Sequence, residues 1–270
     1  MLSFSVNKTL TLLLLPFVVL SACTSPPVQQ KLLKSMADLD AALIPPIILT
    51  QLGKQEDSKI AMERLKSQWD NFYETYYPLE MKYGVNIVDK LWKSNLNAAK
   101  GLIASAEAAV KLGSLSQATA QLGKVENIFR EIRRQHGLPY ILDDMLDFSD
   151  AIKEIETRCA QKKLNERDFA QLRQTFDQAG KTWEKICAEP INGKLFGFTP
   201  EKVKALKKKI RAENTALEGL SSSIYAANKE AILSAAAAIQ NDLVQIIRAF
   251  GDFNPIIEKV KQEKKRSSRK

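Results

Sequence analysis

The sequence predicts an all-α protein built of antiparallel helical bundles. Apolar residues recur at spacings of three and four along most of the chain, and no convincing stretch alternates with the period of two that a strand requires. The 11 glycines and 10 prolines are few for 270 residues, and they cluster where the apolar stripes stop. A composition of 45% hydrophobic and 26% charged residues is that of a globular protein, which excludes wholesale disorder.

Residues 1–22 have the layout of a secretory signal. Lys8 is their only charged residue, an apolar stretch runs through residues 10–20, and the small residues Ser21 and Ala22 follow it. Pro16 interrupts this stretch, which is shorter than the roughly 20 apolar residues of a membrane-spanning helix. We therefore expect residues 1–22 to be cleaved on export.

The tetrapeptide Leu20-Ser21-Ala22-Cys23 resembles the lipobox of bacterial lipoproteins. The resemblance implies cleavage between Ala22 and Cys23, a thioether-linked diacylglycerol on Cys23 and an acyl chain on its new amine. Two or three chains make a stable anchor in the bilayer. Residues 23–30 would form the lipidated tether. Thr24 stands where an aspartate would retain such a protein in the inner membrane, so the expected location is the outer membrane, on its periplasmic face. An ordinary cleaved signal that happens to carry a cysteine is the alternative.

Residues 31–139 are predicted to form a first helical unit. Its first helix should stop at Pro45-Pro46 and its second before Pro78, because proline disrupts a helix interior. Gly113 can close the third helix in a left-handed conformation, and Ser114 should cap the fourth in a capping box with Gln117. The predicted buried stripes are Leu32, Met36, Leu39 and Leu43; Met62, Leu65, Trp69, Phe72 and Tyr76; Val88, Trp92, Leu96, Ala99, Ile103, Ala106 and Val110; and Leu115, Ala118, Leu122, Val125, Phe129 and Ile132.

Residues 140–257 repeat this plan at a constant offset of 114 residues. The offset aligns Trp69 with Trp183 and Gly137 with Gly251, whereas periodicity alone would align only the apolar stripes. Within the second unit, residues 140–163 form the opening segment, and Thr199 caps a helix that has Pro200 at its first position. The sequence thus predicts an internal duplication, with a chance alignment of amphipathic helices as the alternative.

Residues that could carry chemistry are sparse. His136 is the only histidine, which excludes a pair of histidine ligands, and its predicted place at a helix end favours a capping role. No glycine-rich phosphate loop, covalent haem motif or nucleophile elbow occurs. We therefore predict no enzyme, no catalytic residue, no metal site and no cofactor beyond the lipid on Cys23.

An acidic stripe, defined here as Asp143, Asp147, Asp150 and Glu154, lies on one face of a predicted helix. Apolar residues occupy other positions of the same segment, so the simplest interpretation is the solvated side of an amphipathic helix. A divalent cation site or a basic partner are the alternatives.

Basic residues cluster twice in a chain whose formal net charge is +9. One run, from Lys202 to Arg211, lies on a predicted helix, and the other is a tail at residues 258–270. An exported lipoprotein is not expected to meet nucleic acid, so anionic lipid, a cell-wall polymer or an envelope protein fits these charges better. A solvated helix face and a solubilising tail are the alternatives. The tail contains Lys259, Lys261, Lys264, Lys265, Arg266, Arg269 and Lys270.

Cys159 and Cys187 are the remaining cysteines, and an oxidising compartment permits a disulfide between them. A helical hairpin turning near Asn165 would instead separate them by about 30 Å, because a helix rises 1.5 Å per residue. Two buried thiols are the alternative to the disulfide.

Two hypotheses for the exported domain remain. The first is a helical binding or adaptor module that contacts an envelope component. The second is a helical-bundle carrier of haem, a metal or an apolar ligand. Met36 or Met62 with His136 has the broad order of the haem ligands in b-type four-helix cytochromes, and the Gly-x-His-x-x-Glu signature of imelysin-like lipoproteins is absent.

Overall fold

The computed structural model describes residues 27–78, 90–161 and 164–267. Within these ranges the chain forms ten helices and no strand, which confirms the predicted all-α class. The helices are α1 (Pro27–Gln51), α2 (Gln55–Tyr76), α3 (Lys90–Lys111), α4 (Leu115–Gln135), α5 (Ile141–Cys159), α6 (Glu166–Ala188), α7 (Gly193–Phe196), α8 (Pro200–Tyr225), α9 (Lys229–Arg248) and α10 (Asn254–Ser267).

The helices form two rings of four. In the first ring α1 packs on α2, α2 on α3 and α3 on α4, and α4 returns to α1. In the second ring α5, α6, α8 and α9 follow each other in the same cyclic order, with the short helix α7 inserted between α6 and α8. Short connections such as residues 112–114 and 226–228 make successive helices antiparallel, as in up-down bundles.

Each ring has its own hydrophobic core. Trp69, Trp92 and Phe129 are buried in the first, and Phe148 packs against Trp183 in the second with ring centroids 4.6 Å apart. All three tryptophans are at most 3% exposed, so the apolar stripes bury them as predicted. Met36 and Met62 also lie inside the first core.

Helix α1 belongs to both cores. Leu32, Met36, Leu39 and Leu43 face the first ring, whereas Ala37, Ile44 and Ile48 belong to the core of the second. Its neighbours in the second ring are α7 and α9. An amphipathic helix with one buried stripe would leave its other side in water, so the second apolar face of α1 is what joins the two rings.

The predicted end of the first helix at Pro45-Pro46 is wrong, because α1 continues through both prolines to Gln51. Pro45 has no N–H to donate to the carbonyl of Ala41, four residues back. The backbone N–H of Asp252 donates to that carbonyl instead, at 2.8 Å, from the segment after α9. A contact from the second unit therefore satisfies the group that the proline leaves unpaired.

The two units share a turn geometry at the predicted offset. Gly113 has φ +76° between α3 and α4, and Ala227 has φ +52° at the corresponding position between α8 and α9. A left-handed alanine is uncommon, and Ala227 is the one non-glycine residue with positive φ among the described residues. The duplication itself stays a prediction. Gly137 has φ +60°, a conformation that favours glycine. Its counterpart Gly251 is needed for a different reason, since a Cβ there would lie 2.9 Å from Cγ2 of Ile44.

The observed helix caps agree only in part with those predicted from the sequence. Thr199 accepts a hydrogen bond from the backbone N–H of Lys202, with Pro200 following it, as predicted. The capping box predicted at Ser114 is wrong, because the Ser114 side chain makes no capping hydrogen bond. A reciprocal capping box forms instead between Asn165 and Asp168, at the start of α6.

Candidate functional site

A buried ion-pair cluster, consisting of Asp40, Arg133 and Asp143, joins the two units. Arg133 extends from α4 and is 1% exposed, with Nε and Nη2 donating to the two carboxylate oxygens of Asp143 on α5 at 2.8 and 2.6 Å. Its Nη1 donates to Asp40 on α1 at 2.9 Å. The guanidinium lies 4.3 Å from the ring centroid of Tyr140. One arginine thus connects three helices through bidentate and single charge-assisted bonds.

Two carboxylates share this single cation away from water. Burial and the negative charge of Asp143 together raise the pKa of Asp40 to about 6, against the attraction of Arg133. Burial also raises the pKa of Tyr140 well above its usual range, with the charge of Asp40 as the next cause. The cluster therefore holds a carboxyl group that titrates closer to neutrality than an exposed aspartate.

A second group of ion pairs continues along the same helix pair toward solvent. Arg130 donates to Asp150 at 2.8 Å and also to Asp147, and the exposed Arg134 donates to Asp147 as well. Burial raises the pKa of Glu126 to about 7, with the charge of Asp40 as the next cause.

The interpretation of the acidic stripe as a solvated face is wrong for Asp143, whereas Asp150 and Glu154 are exposed as it predicts. Asp143 is buried, and Asp143, Asp147 and Asp150 bind arginines of α4, so the basic partner lies within the chain. Glu154 pairs with Arg158 one turn away on its own helix. The sequence contains a signal for this pairing: basic residues before the turn at residues 137–139 and acidic residues after it recur at helical spacing.

A cavity of about 630 Å³, here called the α1–α7 cavity, opens beside the cluster. The first turns of α1 form one wall with Leu33 and Lys34, and Leu195 and Phe196 of α7 form another. Tyr140 lies between this cavity and the ion-pair cluster, since it lines the cavity and also stacks on Arg133. The lining combines apolar side chains with Lys34, Lys194 and Glu189, so it suits an amphipathic ligand or peptide better than a purely apolar one.

A further buried acid lies in the second ring. Glu213 is 4% exposed, and its Oε1 has no hydrogen-bond partner among the described residues. Burial, and then the charge of Asp242, raise the pKa of Glu213 to about 7. It fills the position between Ile210 and Leu217 in the apolar stripe of α8. That seven-residue gap is the sequence signal that would have revealed it.

The residues singled out from the sequence lie apart from one another. The lipobox with Cys23 lies outside the described residues. Cys159 and Cys187 are both free, so the structure does not contain the disulfide considered for them. Their thiols lie in different surroundings: Cys159 Sγ is 3.5 Å from the carbonyl of Lys229, and Cys187 Sγ is 3.9 Å from Asn214 Oδ1.

Residues 258–267 of the predicted basic tail belong to a helix in the structure. Helix α10 spans Asn254–Ser267 and packs through Ile256 against Leu49 of α1 and Ala61 of α2. Lys259 pairs with Glu63 at 3.4 Å, and Lys261 is exposed. The side chains of Lys264, Lys265 and Arg266, and all of Arg269 and Lys270, lie outside the described part.

The residues considered for haem do not form a ligand pair around an open core. Met36 and Met62 pack among apolar side chains. His136 ends α4, as expected, with its ring 5.9 Å from that of Trp92. Among residues 27–78, 90–161 and 164–267, no group of three or more histidine, cysteine or acidic side chains is arranged to hold a metal ion. In the same ranges, no helix has the apolar length needed to cross a bilayer.

Comparison with protein-family models finds no match, and searches of curated proteins and of solved structures find no similar protein either.

Proposed function

We propose that this chain is a bacterial lipoprotein, anchored through Cys23 and most consistent with an outer-membrane location, whose helical domain is a binding or adaptor module facing the periplasm. The observation that carries the proposal is the lipobox at residues 20–23, which ends four residues before α1 begins at Pro27. So short a connection would keep Pro27 within about 15 Å of the bilayer, since extended chain spans at most about 3.3–3.6 Å per residue.

Lipidation at Cys23 is tested by replacing it with alanine. The C23A chain should incorporate no labelled fatty acid and should accumulate as an uncleaved precursor, because the thioether forms on that thiol. A C187A chain is the matched control, since Cys187 is a half-exposed free thiol outside the lipobox. Fatty-acid labelling of C23A at the level of C187A would contradict the proposal.

The α1–α7 cavity supports the binding role. It lies next to the anchored end of the chain, and its volume falls within the range of sites for small molecules and short peptides. A photo-crosslinking residue in place of Asn192, which is exposed on the cavity lining, should capture a specific envelope component in intact cells. The same residue in place of Leu112, 82% exposed in the turn between α3 and α4, is the control position. Identical products at both positions would count against the cavity.

If the domain is instead a ligand carrier, its ligand would also bind in the α1–α7 cavity, because side chains fill the cores of both rings. Native mass spectrometry of protein extracted from membranes distinguishes the two. A bound small molecule that is lost when Leu195 is replaced by tryptophan would favour the carrier, whereas a ligand-free domain that still crosslinks to a protein would favour the adaptor.

A further inference from the structure

Helix α8 exposes a row of positive charges, here called the basic face and defined as Lys204, Lys207, Lys208 and Arg211. The spacings of three, one and three place all four on one side of the helix, along about 10 Å of its axis. Lys204, Lys208 and Arg211 are exposed and Lys207 is half-buried. None of the four forms an ion pair with another described residue.

In this respect the basic face differs from the arginines at the end of α4 and from Lys185, which are paired within the domain. Arg130, Arg133 and Arg134 bind acids of α5, and Lys185 binds Asp144 at 2.8 Å. In the shallow cleft along the basic face, Glu201 is the acid present, next to the capped start of the helix. The positive potential of the basic face is therefore left for something outside the domain.

The start of α8 lies next to α7, which packs against α1. The Nζ atom of Lys202 lies 3.8 Å from the ring centroid of Phe198, which stacks on Phe196 at 5.5 Å. Phe196 in turn lines the α1–α7 cavity together with Gln30 and Leu33. Two ring contacts thus connect the start of α8 to α7, which forms one wall of a cavity whose other wall includes residues that follow Cys23 by seven and ten positions.

The C-terminal basic residues are placed differently. Helix α10 lies against Leu49, in the last turn of α1, and against α2. Leu49 is about 33 Å along α1 from Pro27 at 1.5 Å per residue. The two basic clusters therefore lie on helices with different neighbours: α10 packs on the last turn of α1 and on α2, whereas the start of α8 adjoins α7 and the α1–α7 cavity.

We propose that the basic face of α8 is the surface with which the domain rests on an anionic lipid bilayer. This inference rests on the proposed function, since it is the anchor at Cys23 that brings this end of the molecule to the membrane. Three lysines and one arginine in a row suit such a surface, because a bilayer offers dispersed phosphate charge rather than one shaped pocket. Contact there would fix which side of the anchored domain faces the periplasm.

Vesicle flotation tests the inference without depending on lipidation. The full chain carrying C23A is mixed with vesicles of phosphatidylcholine alone or with added phosphatidylglycerol, at low and high salt. We compare it with K204Q/K207Q/K208Q/R211Q and with R64Q/K124Q/R167Q/K181Q, a control that removes the same charge from exposed positions on α2, α4 and α6. Residues 1–26 are common to all three chains, so differences between the chains report the substituted residues. Circular dichroism establishes that each variant is folded.

We expect the reference chain and the control to float with anionic vesicles at low salt, and high salt to release both, since it screens exposed charges. The basic-face variant should partition more weakly by on the order of tenfold or more, because each basic residue near an anionic surface strengthens binding several-fold. Equal partitioning of the two variants, or no preference of the reference chain for anionic lipid, would overturn the inference.

A chain truncated after Glu258 should bind like the reference chain, and a larger loss on truncation than in the basic-face variant would assign the contact to α10. Lipidation at Cys23 is measured separately, so either proposal can fail alone.

Discussion

Replacing Arg133 with methionine should destabilise the protein more than any other single change in the ion-pair cluster. Methionine keeps much of the side-chain length but removes the cation between Asp40 and Asp143, which are 4% and 7% exposed. Removing one partner of a buried ion pair costs about 3–5 kcal/mol, because it leaves an uncompensated buried charge. Both carboxylates of this cluster lose their partner, so we expect R133M near the upper end of that range.

Urea denaturation followed by far-UV circular dichroism measures the effect, with Arg134→Met as the control. Arg134 is one position further along α4, but its side chain is 48% exposed and pairs with Asp147, so its loss should cost less than about 1 kcal/mol. The triple variant D40N/R133M/D143N should recover most of the stability lost in R133M, because no unpaired charge remains buried. The reasoning would be refuted if R133M and R134M had equal stabilities, or if the triple variant were no more stable than R133M.

Two further predictions concern single positions. Gly251→Ala should cost about 1–3 kcal/mol, because its Cβ would lie 2.8 Å from Phe253 and 2.9 Å from Ile44, as overpacking does elsewhere. Gly219→Ala on α8, with open space around it, should stabilise by about 0.5–1 kcal/mol in the same denaturation assay, and equal effects at the two glycines would contradict the close packing. The pKa of Glu213 is raised to about 7 in the folded state, so the folded chain binds this proton more tightly than the unfolded chain, and stability should fall as pH rises from about 4 through 7. Glu213→Gln should therefore gain about 1–3 kcal/mol at pH values above about 7 and little near pH 5, and a gain that does not change with pH would show that Glu213 is not the titrating group.

The fold could be predicted from the sequence because its determinants are local. A stripe such as Leu122, Val125 and Phe129 specifies the buried side of its helix whatever that helix packs against, and the structure buries all three. The left-handed turn at Gly113 was predictable for the same reason, since glycine adopts positive φ without a steric penalty.

The errors at Pro45 and Asp143 have one physical origin, which is a partner outside the residue's own helix. Pro45 ends a helix in isolation, but here the N–H of Asp252 replaces the missing donor across more than 200 positions of chain. Asp143 belongs on a solvated face by its polarity, but Arg133 and Asp40 surround it. From local propensity alone, Asp143 is expected to be solvated and Pro45 to end its helix. Tertiary contacts override both preferences.

These long-range contacts also show what the ion-pair cluster contributes. A buried ion pair by itself does not show that a protein gains stability, since apolar residues of similar volume often stabilise the fold as well or better. Its directional bonds do specify geometry, and here the helix they hold is α1, whose apolar faces belong to two cores at once. Apolar contact is non-directional, whereas Arg133 bonds Asp40 on α1 while it is held by Asp143 on α5, so a rotation or slide of α1 would break the bond to Asp40. Because α1 begins four residues after Cys23, the orientation that Arg133 sets within the domain is also the orientation that the proposed anchor would present to the membrane.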